Sequence, residues 1–303
     1  MGRVKLLMPG PKEFSGGKRA IPHTQWALFW RKFRKIALAK VGAITLLMLG
    51  LCAVFAPYLG LPSITEMDLS QSATPPTWLH PLGTDSYGRD LLARLVYGAR
   101  VSLSVGLSSV GLSMLAGIPL GLLAGYFRGK LDSILMRLMD AIFSFPPILL
   151  AIALVAILGP SAGTVVIALS VVYTPRFARV VRSSTLAESE LEYVLSARAI
   201  GASHWRIMFI QVLPNVVGPI TVQATVTFAY AIITEASLSF LGLGVQPPSP
   251  SWGLMLNEAR MYIEDAPYYP IFPGLAIVIA VLAINLFGDG LRDALDPRQQ
   301  KGE

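Results

Sequence analysis

The chain has 303 residues, and its composition is 53% hydrophobic and only 14% charged, with a mean hydropathy of +0.59. Because soluble domains carry about a quarter charged residues, this composition indicates an integral membrane protein and argues against a soluble enzyme. The single cysteine, Cys52, lies in an apolar run, which excludes an intrachain disulfide and a cysteine metal cluster and predicts a buried, inert thiol.

Residues 1–35 form a basic segment ahead of the first apolar run. From Thr24 to Lys35, aromatic and cationic side chains are interleaved. This pattern is typical of an interfacial helix whose rings lie at the depth of the lipid headgroups. Nucleic-acid binding by the same residues is disfavoured, because an apolar span follows at once.

Six apolar stretches are long enough, at about 20 residues each, to cross the hydrocarbon core of a bilayer. We therefore predict an all-α integral membrane protein with six transmembrane helices at 36–59, 101–127, 131–158, 164–181, 216–243 and 271–287. The predicted domains are the basic segment 1–35, an N-terminal helix 36–59, an extracytoplasmic segment 60–100, a five-helix core 101–290 and a tail 291–303.

The distribution of Lys and Arg predicts the orientation of these helices. If the N-terminus is cytoplasmic, the inner segments 1–40, 128–137, 176–206 and 292–301 hold 21 of the 25 basic residues. Cytoplasmic loops carry the excess of Lys and Arg in membrane proteins. Both termini and the loop at 183–215 are therefore predicted to be cytoplasmic.

Glycine and proline residues occur within several of the predicted spans. Small residues let two membrane helices approach closely, and the second span contains several at suitable spacing: Gly106, Gly117, Gly121 and Gly125. Pro146 and Pro147 interrupt the third span and must bend it. The bend suits either a gate or an ordinary static bundle.

Charged residues within or near the spans are few. Arg137 and Asp140 lie three residues apart, so we expect them to pair on one helix face near the inner boundary. Glu235 lies deeper, where a carboxylate must line a wet path or form a structural hydrogen bond. Both interpretations of Glu235 remain open from sequence.

The outer segment 80–100 predicts a short amphipathic helix, capped by Thr84 or Asp85. Asp85 with Arg89, and Asp90 with Arg94, have the i,i+4 spacing of exposed helix ion pairs. Such a pair contributes only a few tenths of a kcal/mol, roughly, so replacing Arg89 should have a mild effect. The helix would lie at the outer interface or form a scaffold facing a delivery protein.

A proline-rich turn at 246–253 follows the fifth span and carries Trp252, a residue type suited to the membrane interface. The three histidines lie outside the apolar spans, so no intramembrane Ser–His pair is available. No P-loop or H-E-x-x-H pattern occurs in the sequence. These patterns argue against an enzyme and against ATP binding by a P-loop of this chain.

The stretch Glu192–Asn215 predicts two short helices joined at Gly201, which we call the helical hairpin. The carboxylates of residues 188, 190 and 192 would open its first helix, with Arg198 near the end and a positive φ at Gly201. Ser203 would cap the second helix, whose Ile207, Ile210 and Leu213 share one side, and Pro214 would end it. That apolar side must be buried against the chain's own bundle or in the groove of a soluble partner.

At these residues the chain resembles the dipeptide/oligopeptide/nickel ABC transporter permeases. Gly201 precedes the Leu213-Pro214 pair at the spacing of that family's coupling (EAA) loop. The resemblance covers roughly residue 30 onward and is carried by HPLGTDSYGRDLLARLVYGARVSL at 80–103, GLLAGYFRGKLDSILMRLMD at 121–140, EYVLSARAIGAS at 192–203, LSFLGLGVQPPSPSWG at 238–253 and FGDGLRDALDPR at 287–298. The segment RKFRKIALAKVG at 31–42, with its added span, resembles the C-type subunit.

The resemblance implies a type I ABC importer permease fold in the cell membrane, surrounded by lipid. It implies as partners a homologous B-type permease, two ABC ATPases that bind ATP and magnesium, and an extracytoplasmic substrate-binding protein. It implies ATPase coupling through Glu192, Tyr193, Ala197, Arg198, Gly201, Ala202, Ser203, Leu213, Pro214 and Asn215. Peptides are the expected cargo, with nickel or another small solute as variants. The alternative is a self-sufficient secondary transporter or channel.

Overall fold

The computed structural model describes residues 31–295, where regular structure is helical apart from one isolated β-bridge between Thr84 and Asp90. Most of the basic segment, including residues 24–30 of the predicted interfacial helix, and residues 296–303 of the tail lie outside this range. The longer helices are α1 Ala37–Phe55, α2 Leu91–Phe127, α3 Gly129–Phe143, α4 Pro147–Leu158, α5 Ala162–Glu188, α6 Glu192–Ala199, α7 His204–Phe240, α8 Trp252–Ala259 and α9 Tyr268–Leu295.

Five helices of the described part are long and apolar enough to cross a membrane, or six if α3 and α4 form one broken span. The predicted third span is this pair, and its two helices meet at 85° around residues 144–146. Pro146 precedes α4 and Pro147 is its first residue, where proline's missing N–H costs nothing. The orientation of the termini stays a prediction.

Helix α2 begins at Leu91, ten residues before the predicted second span. The predicted short outer helix is therefore wrong, because its apolar residues are the first turns of a 37-residue helix. Asp90 is the capping residue, not Thr84 or Asp85, since its carboxylate accepts a hydrogen bond from the Ala93 N–H at 2.7 Å.

Helices α2 and α5 lie in direct backbone contact along a glycine row. A Cβ added at Gly117 would be 2.6 Å from the Phe177 Cβ, and one added at Gly121 would be 2.6 Å from the Ala178 carbonyl oxygen. Gly125 meets Thr185 in the same way, at 2.7 Å. The close approach predicted from these small residues is confirmed.

The apolar core joins the long helices to one another. Side chains of α2, α4, α5 and α7 share one buried cluster, which includes Val105, Val155, Leu169 and Leu238. Helix α1 lies against α9, where the packing leaves no room for a side chain on Gly290 beside Ala39. The N-terminal helix is thus attached to the edge of the bundle.

Two side-chain placements differ from expectation. Asp140 does not pair with Arg137 on its own helix, because α5 presents Arg179 beside it, and the Arg179 Nη2 donates to Asp140 Oδ1 at 2.6 Å. Cys52 is exposed on α1, not buried, since that helix packs on one side only. Its exposed side is apolar, as suits a lipid-facing surface.

Candidate coupling loop and associated polar clusters

The turn of the helical hairpin is built as predicted. Gly201 has φ +79°, and the N–H groups of Gly201 and Ala202 donate to the carbonyls of Arg198 and Ala197 at 3.1 and 3.0 Å. These two bonds form a Schellman motif, which needs a left-handed residue at the glycine position. Ser203 then accepts a hydrogen bond from the Arg206 N–H and caps the second helix.

A hydrogen-bonded cluster closes the base of the hairpin. The Tyr193 hydroxyl donates to the Glu188 carboxylate, and the Asn215 amide donates to the Tyr193 hydroxyl at 3.0 Å and to the Gln211 carbonyl at 2.7 Å. Partial burial and the Glu188 carboxylate raise the pKa of Tyr193 to about 12. The phenol therefore keeps its proton at neutral pH and ties α5, α6 and α7 together.

The entry to the hairpin differs in detail from expectation. Glu188 is the last residue of α5 and Glu190 lies in the turn, so only Glu192 is in the first turn of α6. Glu190 instead pairs with Arg128 at the end of α2, in an exposed contact that contributes little to stability. Arg198 lies in the last turn of α6, as predicted.

Pro214 does not end the second helix, which continues unbroken from His204 to Phe240. Residues Ile207–Val212 form a π-helical stretch that ends two residues before the proline. The wider π turn leaves room for a ring that would otherwise meet the carbonyl of the preceding turn. The second helix of the hairpin is thus continuous with the candidate membrane-spanning part of α7.

One side of the hairpin is buried against its own bundle. Ile207, Met208 and Val212 are fully buried and contact a cluster that includes Leu122 and Val181. The predicted apolar side was wrong for Ile210, because the π-helical stretch changes the register and leaves that side chain 65% exposed. The bundle, one of the two alternatives, accounts for this side.

The opposite side of the hairpin stays exposed and is also apolar. We call it the exposed edge, and its large side chains are Ile200, Trp205, Phe209 and Ile210. The rings of Trp205 and Phe209 are stacked, with centroids 5.8 Å apart. Ile200, next to the turn glycine, is 86% exposed. Clustered apolar exposure of this kind marks an interaction site.

Tyr126, at the C-terminal end of α2, attaches the hairpin to that helix. The Arg198 guanidinium lies 5.0 Å from the centre of the Tyr126 ring, and the Tyr126 hydroxyl forms a 2.9 Å hydrogen bond with His204 Nδ1. Sequence reasoning missed Tyr126 and His204. The available signal was an aromatic residue, Tyr126, at the end of a predicted span, together with an arginine, Arg198, in the loop.

The outer segment holds a buried ion cluster between α2 and α8. Arg89 Nε donates to Asp85 Oδ2 at 2.5 Å, and both Arg89 and Arg94 contact Glu258, at 3.2 and 2.7 Å. Burial alone would lower the pKa of Arg89, but the carboxylates of Asp85 and Glu258 outweigh it and raise that pKa. The arginine stays charged within the cluster.

These contacts correct the predicted exposed pairs. Arg89 is only 3% exposed and Arg94 is fully buried. Asp90 does not pair with Arg94; its carboxylate caps α2 and contacts His80 Nδ1 at 2.9 Å. Sequence spacing could not reveal Glu258, which lies far along the chain.

Trp252 also belongs to this outer region. It is 1% exposed, and its Nε1–H donates to the Leu95 carbonyl at 3.1 Å. The predicted interfacial location is therefore wrong, because α8 folds back against α2 and buries the indole. The residue fastens α8 to the N-terminal part of α2.

Glu235 is fully buried at the point where α2, α7 and α8 meet. Ser239 Oγ donates to its carboxyl oxygen at 2.7 Å, and the hydroxyls of Ser102 and Ser251 also face the carboxyl group. Each of these three hydroxyls accepts a backbone N–H. Within residues 31–295, the other carboxyl oxygen, Oε2, has no hydrogen-bond partner. The Ser239 contact is a structural hydrogen bond, and a path-lining role for Glu235 stays a prediction.

Comparison with known proteins adds to this geometry. The family described as "Binding-protein-dependent transport system inner membrane component" matches residues 117–301. The chain belongs to this family. Residues 24–76 match the "N-terminal TM domain of oligopeptide transport permease C", which agrees with the resemblance seen at 31–42. No group of three His, Cys, Asp or Glu side chains within residues 31–295 is arranged to hold a metal ion.

Several relatives are similar to this chain over most of their own length. A di/tripeptide transport system permease protein DppC of Pseudomonas aeruginosa is 48% identical, covering 89% of this chain and 91% of the relative. A glutathione transport system permease protein GsiD of Pectobacterium atrosepticum is also 48% identical, covering 91% and 92%. A dipeptide transport system permease protein DppC of Alkalihalophilus pseudofirmus is 43% identical, covering 97% of each chain.

The fold has a counterpart among solved structures. A chain of the MetNI methionine ABC transporter, in an inward-facing conformation, superposes with a TM-score of 0.57 and 22% identity, covering 67% of this chain and 97% of its own. The chain is thus a multi-pass membrane protein with an ABC permease fold. Neither nickel nor the alternative of a self-sufficient transporter or channel finds support in these relatives.

Proposed function

We propose that this chain is the C-type permease subunit of an ATP-driven importer of peptides. It would form half of the translocation path beside a homologous B-type permease in the cell membrane, with both termini cytoplasmic. Two separate ATPases would bind ATP and magnesium, and an extracytoplasmic binding protein would deliver the cargo to the side scaffolded by Asp85, Arg89 and Asp90. The peptide cargo is inferred from the names of the relatives.

The observation that carries this proposal is the two-sided hairpin. The buried side of the hairpin is fastened to the bundle through Ile207, Met208 and the Tyr193 cluster. The exposed edge is not covered by any part of residues 31–295. An apolar edge on a rigid hairpin suits insertion into the groove of a soluble partner. Because α7 is continuous from the hairpin into the membrane, an ATPase that moved the edge would move the bundle.

The test uses the whole transporter, co-expressed with its ATPases, partner permease and binding protein. Ile200→Asp and Trp205→Asp place a charge in the exposed edge without disturbing the buried side. Both should abolish co-purification of the ATPases and ATP-driven peptide uptake while the chain stays in the membrane. Leu69→Asp is the matched control, since Leu69 is 72% exposed and lies in the predicted extracytoplasmic segment 60–100.

Two results would contradict the proposal. One is normal ATPase co-purification with both hairpin variants combined, which would exclude the exposed edge as the docking site. The other is peptide uptake by this chain alone, without ATP or ATPases, which would support the self-sufficient transporter or channel.

A further inference from the structure

Three arginines lie at intervals of three residues along α5, and two of them are neutralised. Arg182 is paired with Asp132, through Nε and Nη2 at 2.5 and 2.6 Å. Arg179 is paired with Asp140. Within residues 31–295, no carboxylate lies within ion-pair distance of the third, Arg176. Arg176 therefore keeps a positive charge that residues 31–295 of this subunit do not neutralise.

Two tyrosine rings hold Arg176 in place. Its guanidinium carbon is 5.0 Å from the centre of the Tyr173 ring and 4.8 Å from that of the Tyr230 ring. The Tyr173 hydroxyl is itself fastened across to α7 by a 2.8 Å hydrogen bond with Thr234. Ring contacts use the face of a guanidinium and orient it, but they leave its in-plane N–H donors free.

Arg176 lies at an open face of the subunit. Its ring partner Tyr230 is 49% exposed, and Arg176 itself is half-buried. By the predicted orientation, Arg176 lies in the inner part of α5, about 21 Å along the helix axis from Ala162 at about 1.5 Å per residue. A charged guanidinium there is unfavourable against lipid, so we expect water or protein at that face.

Polar side chains of α7 lie near Arg176 among apolar ones. Gln223, Thr227, Tyr230, Thr234 and Ser237 recur at alternating intervals of four and three residues, which places them on one helix face. Of these, Tyr230 is exposed and Thr227 is fully buried. A cavity of about 400 Å³ is lined by residues of α5, α7 and α9 that include Val180, Gln223 and Arg292. An anion that reached the open face at Tyr230 would meet the positive charge of Arg176.

We propose that Arg176 is a carboxylate-binding site in the translocation path, which holds the terminal carboxylate of a peptide during passage. This inference rests on the proposed function and adds a residue that recognises one chemical group of the cargo. A planar guanidinium presents two parallel N–H donors to a carboxylate, a geometry that a lysine lacks. The contacts with the Tyr173 and Tyr230 rings restrict the rotation of the guanidinium.

The test is ATP-driven uptake by the complete transporter in proteoliposomes. The probes are a dipeptide with a free terminal carboxylate and the same dipeptide with a terminal carboxamide, at saturating binding protein. The measured quantity is the acid-to-amide ratio of initial rates. Because the binding protein is unchanged among permease variants, its own preference cancels when these ratios are compared.

Arg176→Gln should lower the acid rate by about tenfold or more, the usual effect of losing a charge-assisted hydrogen bond. The amide rate should change by less than about twofold, the effect expected for a neutral neighbour. Arg176→Lys should give an intermediate ratio. Tyr230→Leu, on a half-exposed site where folding is not at risk, should also lower the ratio, because the guanidinium loses one ring. Arg179→Gln is the control and should leave the ratio at the wild-type value.

Equal loss of acid and amide transport in Arg176→Gln would overturn the proposal and indicate a structural contact, such as one with the partner permease. An unchanged ratio in both Arg176→Gln and Tyr230→Leu would overturn it as well. If the wild-type complex transports neither probe with ATP, the proposed function itself fails. The outcomes are therefore distinguishable.

Discussion

Replacement of Gly201 tests whether the conformation of the hairpin turn is needed for coupling. Its φ of +79° lies in the left-handed region, and both Schellman hydrogen bonds depend on it. A Cβ added there would meet no atom within 4 Å, so the expected cost is conformational and not steric within this chain. For an L-residue with a Cβ, that cost is about 1–2 kcal/mol, and it is larger for a β-branched residue.

The expected order of coupled activity is Gly201→Asn above Gly201→Ala above Gly201→Val, since asparagine tolerates the left-handed region best. Gly201→Val should abolish ATP-driven uptake while the protein remains in the membrane. The assay is ATP-driven peptide uptake in proteoliposomes, normalised to the amount of permease and compared with ATPase co-purification. Full coupling in Gly201→Val would refute the role of the turn. Equal losses in all three variants would refute the backbone argument and indicate a contact of the partner with the glycine itself.

Three further predictions concern stability and ionisation. Gly121→Ala should lower the free energy of unfolding of the purified complex by about 1–3 kcal/mol, because the added Cβ would overlap α5. Gly111→Ala is the control, since its Cβ would meet no atom within 4 Å and should leave the unfolding temperature unchanged. Arg89→Ala should destabilise the outer segment by about 3–5 kcal/mol, because it leaves the buried carboxylates of Asp85 and Glu258 underpaired. Arg260→Ala is the control, since Arg260 is exposed. Equal unfolding temperatures of the two variants would contradict the buried cluster. The pKa of Tyr193 is raised to about 12, so the protonated phenol contributes to hairpin stability. This contribution should be fully present below the ordinary tyrosine pKa of about 10 and be lost as the pH rises through 12. The measurement is the tyrosinate absorbance of the wild type minus that of Tyr193→Phe, and a titration midpoint near 10 would contradict the prediction.

Local features were predictable because they depend on neighbouring residues alone. Hydropathy located the spans, and the glycine row of the second span predicted the close contact with α5. Gly201 and Ser203 predicted the hairpin turn, since a positive φ and an N-cap are properties of short peptides. The family resemblance then supplied the interpretation of the hairpin as a coupling element.

Pairing across the fold was decided by the tertiary structure. Asp85 and Arg89 have the spacing of an exposed helix pair, yet no helix forms there, and Glu258 from α8 completes a buried cluster instead. Asp140 pairs with Arg179 for the same reason, because a side chain from an adjacent helix lies nearer than one on its own helix. Sequence spacing carries no information about such distant partners.

The helical hairpin shows both contributions. Its sequence determined two helices, a stop at Gly201 and a cap at Ser203, because those residues set backbone geometry locally. Only the tertiary structure decided that Ile207 and Met208 are buried while Ile200 and Ile210 are exposed, since the π-helical stretch shifts the register of α7. Tertiary structure also decided the surroundings of Arg176, which the sequence alone does not distinguish from Arg179 and Arg182 on α5. Packing gives those neighbours carboxylates from α3 and leaves Arg176 between two tyrosine rings.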